Sequence, residues 1–128
     1  MKTIYLVRHC KAYGQASSAK LTDEGKQQAE NLAEFFADRN IQYILSSPYH
    51  RAIATIKPLA EKLRLTIHLD ERLRERILST IDVPDWIEKL KVSFTDMDLR
   101  FAGGESSREA MDRGVSVINE VMKRPEKS

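Results

Sequence analysis

A short apolar run, Thr3-Ile4-Tyr5-Leu6-Val7, breaks off in Arg8-His9-Cys10. An uninterrupted stretch of β-branched and aromatic residues reads as a strand buried on both faces, and such strands belong to parallel sheets covered by helices. In these folds ligands meet the carboxyl ends of the strands. A cation beside an imidazole there suits a phosphoryl group. The guanidinium neutralises phosphate oxygens while the imidazole offers a nucleophilic nitrogen. The plainer alternative is a half-buried structural histidine. Two polar groups at the end of an apolar strand are costly to place without a purpose. On these two residues alone, both readings stand.

The rest of the chain alternates in a way that fits such a sheet. Residues 10–20 are small, polar and without period, and read as a loop. Thr22 is a good N-cap, followed by Asp23 and Glu24 in the first helical turn. Ala29, Leu32, Ala33, Phe36 and Ala37 then recur at helical spacing, with an end expected near Asn40. Ile41 to Leu45 reads as a second strand, closed by Ser46-Ser47-Pro48. A second helix carries Ala52, Ile53, Ile56, Leu59, Ala60 and Leu63 on one face, and Pro58 inside it calls for a kink or local adjustment.

Leu65 to Leu69 reads as a third strand and residues 70–80 as a charged segment. A short helix is expected over Asp85 to Leu90, and a turn at Gly103-Gly104. A last helix is capped by Ser106 or Ser107 and reaches Met122, leaving a frayed tail after Pro125. Strand and helix alternation predicts an α/β fold with a mostly parallel sheet. No repeat or linker divides it, so residues 1–128 read as one domain.

Composition narrows the function. Apolar residues make up 41% and charged residues 31%, as in soluble globular proteins. The 21 basic and 19 acidic residues leave a net charge of +2, so nothing points to nucleic acid as a partner. No apolar run approaches the ~20 residues of a membrane span, and the N-terminus does not resemble a signal peptide. Cys10 is the single cysteine, which excludes an intrachain disulfide and is compatible with a cytoplasmic location. The three histidines lack metal-ligand spacing, so a zinc site is not expected; no cofactor is expected either.

Other side chains are candidates only in company. Arg51 should lie in the first turn of the second helix, where free N–H groups also favour an anion. Glu75, between Arg74 and Arg76, could serve as a general acid or base, or be one member of a solvated charge run. His50 and His68 read as a surface and a strand residue. Cys10 lacks the cradle and following Arg that a cysteine-dependent phosphatase needs. Trp86, Phe94, Met97 and Phe101 could cover a pocket, though core packing is the stronger reading of them.

Taken together, the segments resemble the histidine phosphatase superfamily, the phosphoglycerate mutase-like family. Leu6-Val7-Arg8-His9 is similar to its opening strand and Arg-His-Gly signature. Leu21-Thr22-Asp23-Glu24-Gly25-Lys26-Gln27-Gln28-Ala29 resembles its Leu-Thr-x-x-Gly-x-x-Gln-Ala helix start. Ser46-Ser47-Pro48-Tyr49-His50-Arg51-Ala52, with Thr55 after it, resembles Ser-Ser-Pro-x-x-Arg-Ala. Leu73-Arg74-Glu75 and Gly104-Glu105-Ser106 match two further motifs in order.

The resemblance implies a three-layer α/β/α sandwich. It implies His9 as the phosphorylated residue, Arg8 and Arg51 as phosphate ligands, and Glu75 as proton donor. Gln15 falls where many members carry a phosphate-binding Asn. The implied reaction is phosphoryl transfer through phosphohistidine without a metal, on a small phosphorylated substrate or inorganic phosphate.

Two departures matter. Cys10 replaces the usual Gly, and the family's second catalytic histidine, on a later strand, has no counterpart after residue 106. A form truncated at the C-terminus is therefore expected, with an incomplete sheet and an exposed edge through which copies could associate. The loop before Leu21 lacks the Gly-Asp segment of mutases, favouring phosphomonoester hydrolysis. A mutase-type isomerase and a non-catalytic phospho-ligand binding or assembly module are the alternatives.

Overall fold

The computed structural model describes residues 2–76, 96–98 and 104–128. They fall in two compact units, one of residues 1–74 with 124–128 and one of residues 75–123.

The first unit is built on two helices and a small parallel sheet. Helix α1, Asp23–Phe36, starts at Thr22, whose side chain accepts the Gly25 N–H. Its buried residues are Gly25, Ala29, Ala33 and Phe36, one stripe at helical spacing. Strand β1 is Ile44–Ser46, and helix α2, His50–Leu63, follows it. Pro58 lies inside α2, which nevertheless runs on to Leu63. The helix ends at Arg64, which adopts the left-handed conformation (φ 56°). Strand β2, Ile67–Leu69, pairs with β1 in parallel, Ile44 opposite Ile67. A 3-10 turn, Glu71–Leu73, closes the segment. Ala33, Phe36, Ile44, Leu59 and Ala60 form the core between α1, β1 and α2. A second, smaller cluster joins Cys10, Leu21 and Ala29.

The α/β class and the parallel pairing match the sequence expectation. The strand limits do not. Residues 3–7 form no regular strand, and Leu6 is 82% exposed. An apolar run becomes a strand only by pairing with a neighbour. Here Thr3 N–H bonds to the Lys127 carbonyl, and Tyr5 packs edge-on against Phe36 at 5.0 Å between ring centroids.

The tail is also not frayed. The Ser128 main-chain oxygen accepts N–H groups of Gln42 (2.6 Å) and Tyr43 (3.1 Å), and Gln42 Oε1 accepts the Lys127 N–H at 2.8 Å. The tail thus takes the backbone bonds that the expected strand over 41–43 would have made, and β1 begins only at Ile44.

In the second unit, helix α3 (Ser107–Met122) has the reciprocal capping box of Ser106 and Glu109. Arg113 pairs with Glu105 through both carboxylate oxygens, and Arg76 donates to the Glu105 carbonyl (3.3 Å) and to Ser107 Oγ (3.0 Å). The Met97 carbonyl accepts the Arg108 N–H at 2.8 Å. The expected helix over Asp85 to Leu90, with Trp86, lies outside the described residues, as do Phe94, Phe101 and Gly103. No helix among the described residues is long and apolar enough to cross a membrane.

Candidate phosphoryl site

The Arg8-His9-Cys10 segment is held between α1 and α2, and the sequence explains how. Gly25 faces the Lys11 backbone so closely that a Cβ there would lie 2.0 Å from the Lys11 carbonyl oxygen. That same carbonyl accepts the Thr22 N–H at 2.9 Å. Gln28 Oε1 accepts the Lys11 N–H at 3.0 Å, and Ala29 packs against Cys10. Four positions of the Leu21–Ala29 motif therefore grip the residues directly after His9. Across from them, Thr55 Oγ1 accepts the Cys10 N–H at 2.8 Å.

His9 itself is half-buried, with Nδ1 2.7 Å from the Cys10 carbonyl oxygen. A carbonyl only accepts, so Nδ1 carries the proton. In the neutral ring this leaves the lone pair on Nε2. A nucleophilic imidazole needs this state, one nitrogen held and the other basic.

Arg51 sits in the first turn of α2, where the sequence placed it, and is 1% exposed. Its Nη1 donates to the Ala16 carbonyl at 2.7 Å and to the Gly14 carbonyl at 3.4 Å, and its guanidinium lies 4.9 Å from the Tyr49 ring centroid. His50 N–H donates to the Ser17 carbonyl at 2.9 Å. The loop bearing Gln15 thus folds over the amino end of α2.

Arg8 and Gln15 are exposed. The folded first unit links His9, Gln15 and Arg51 through these backbone contacts. Glu75 belongs to the second unit and is half-buried. Cys10 is buried against Leu21 and Ala29, a packing role. The sequence reading assigned no job to Gly25, Gln28 or Thr55. Their signals were membership of the two motifs and spacing: Gly25 and Gln28 lie one turn apart on α1, and Thr55 lies one turn beyond Arg51 on α2.

Residues 4–128 match the model of the histidine phosphatase superfamily (branch 1). The chain belongs to this family. It is 31% identical over 144 aligned positions to the protein named probable phosphoglycerate mutase GpmB of Enterobacter sp. strain 638, covering 100% of this chain and 66% of that protein. The chain thus spans slightly under two thirds of that relative's length.

Among solved structures, a mycobacterial glucosyl-3-phosphoglycerate phosphatase in complex with inorganic phosphate superposes with a TM-score of 0.75 at 26% identity, covering 93% of this chain and 62% of that one. The α-ribazole phosphatase of Shigella flexneri shares the fold with a TM-score of 0.73 at 20% identity, over 91% of this chain and 65% of that one.

Proposed function

We propose that His9 accepts a phosphoryl group on Nε2 and passes it to water, so that the chain's chemistry is phosphomonoester hydrolysis. The observation that carries this reading is the His9 Nδ1 bond to the Cys10 carbonyl, which leaves Nε2 as the basic nitrogen. In the first step Nε2 attacks phosphorus and the P–O bond to the leaving alcohol breaks. Glu75, carried over from the family motif, gives that alkoxide its proton. In the second step water attacks the phosphohistidine, the Glu75 carboxylate takes back a proton from that water, and the Nε2–P bond breaks to release inorganic phosphate and restore the imidazole. Arg8 and Arg51 stabilise the equatorial oxygens, where most of the catalytic effect in phosphoryl transfer arises. Gln15 adds an amide donor. Arg51 Nη1 is held by the Gly14 and Ala16 carbonyls, which fixes the plane of its guanidinium.

Two kinds of relative bear on the reaction, one named a mutase and others named phosphatases. Hydrolysis is preferred because residues 10–20 are short and lack the Gly-Asp segment of mutases. Residues 1–128 are read as one domain of the family, and a reducing, cytoplasmic setting suits the lone Cys10.

The test is trapping with a radiolabelled phosphodonor. Acid-labile label on His9, absent from His9→Ala, is expected. Label on another residue overturns the proposal. Vanadate binding without any label or turnover points instead to a phospho-ligand binding module.

A further inference from the structure

We propose that Thr55 is a positioning residue that fixes the nucleophile His9 relative to the cation Arg51; this rests on the phosphoryl-acceptor reading above. Thr55 is 3% exposed, and its hydroxyl makes two bonds of fixed polarity. Oγ1 accepts the Cys10 N–H at 2.8 Å and donates to the Arg51 carbonyl at 2.7 Å. A carbonyl can only accept and an amide N–H can only donate, so the hydroxyl proton has one place to go.

The Cys10 N–H belongs to the peptide plane that joins His9 to Cys10. Holding it sets the backbone from which the imidazole projects. The Cys10 carbonyl, on the other side of the same residue, holds His9 Nδ1. The Arg51 carbonyl belongs to the residue whose guanidinium would meet the phosphoryl oxygens. One hydroxyl therefore spans the two groups whose spacing decides in-line attack. A misplacement of about 1 Å costs up to about 100-fold in such reactions. The hydroxyl needs no contact with substrate to act in this way.

Thr55→Val keeps the shape and removes both bonds, while Thr55→Ser keeps the hydroxyl. The probe is orthovanadate, which mimics the trigonal phosphoryl group, titrated against the whole chain beside phosphohistidine formation. Thr55→Val is expected to lose roughly 10- to 100-fold in vanadate affinity and in the rate of His9 labelling. Thr55→Ser is expected to recover both to within about threefold. The Cys10 amide should exchange slowly with solvent in the parent chain and in Thr55→Ser.

A Thr55→Val chain that binds and labels like the parent overturns the assignment and leaves the phosphoryl reading standing. If Thr55→Val does not fold, a folded Thr55→Ser with tenfold weaker binding also overturns it. A parent chain that binds no vanadate and takes no label overturns both.

Discussion

At the scale of single residues, the backbone after His9 is held by Thr22, Gly25, Gln28 and Thr55. Gly25 is the sharpest case. Its missing side chain lets the Lys11 carbonyl approach α1, and any Cβ would overlap that oxygen. Gly25→Ala is expected to cost roughly 1–3 kcal/mol or more, as for an overpacked core, measured by the urea midpoint. An unchanged midpoint would mean the segment is not gripped as described. Arg51 holds the 14–16 loop through Nη1. Arg51→Lys keeps the charge but loses the planar guanidinium whose Nη1 donates to the Gly14 and Ala16 carbonyls. It should lower stability by about 1–3 kcal/mol in the same assay.

Asp70 contributes to the pH dependence. The Arg72 side chain, hydrogen-bonded to it at 3.0 and 2.6 Å, lowers its carboxyl below the ordinary value of 3.8, against the opposing effect of burial. Because the folded value is the lower one, the pair contributes stability above the unfolded value. That contribution disappears as pH falls through the folded value. Asp70→Asn should lower stability most in the neutral region, where the pair is intact, and flatten the acid limb below about pH 4, where the parent has already lost it.

At the scale of elements, periodicity identified the helices well because capping and burial are local matters. Thr22, Ser106 and the Ala29–Ala33–Phe36 stripe all act as their spacing suggests. Pro58 did not break α2, since the packing of Leu59 and Ala60 into the core outweighs one absent N–H. Leu59→Ala is accordingly expected to cost about 2–5 kcal/mol, read by thermal or chemical unfolding. Strands were less legible. A strand is completed by its partner, and no local pattern states who the partner is. Thr3–Val7 has strand composition without a ladder, whereas Ile44–Ser46 gains one from Ile67–Leu69. A direct comparison checks this. Leu6→Lys should change stability by less than about 0.5 kcal/mol. Ile44→Ala, in the core, should cost about 2–5 kcal/mol.

At the scale of the whole molecule, the tail holds the amino-terminal segment to the segment before β1. Lys127 accepts from Thr3, and Ser128 from Gln42 and Tyr43, while Arg124 lies 3.9 Å over the Tyr43 ring. Nothing in Pro125-Glu126-Lys127-Ser128 announces this, because main-chain bonding leaves no trace in side-chain composition.

The sequence by itself determined the α/β class, helices α1, α2 and α3, and the chemical candidates His9, Arg51 and Glu75. Residue type, spacing and motif order are local and survive in one dimension. Tertiary structure decided which nitrogen of His9 is basic, what holds Arg51, that Thr55 ties them together, and that Leu6 faces solvent. Those outcomes depend on donors and acceptors far apart in the chain, Cys10 and Thr55 above all, and distance in space is not written in sequence order.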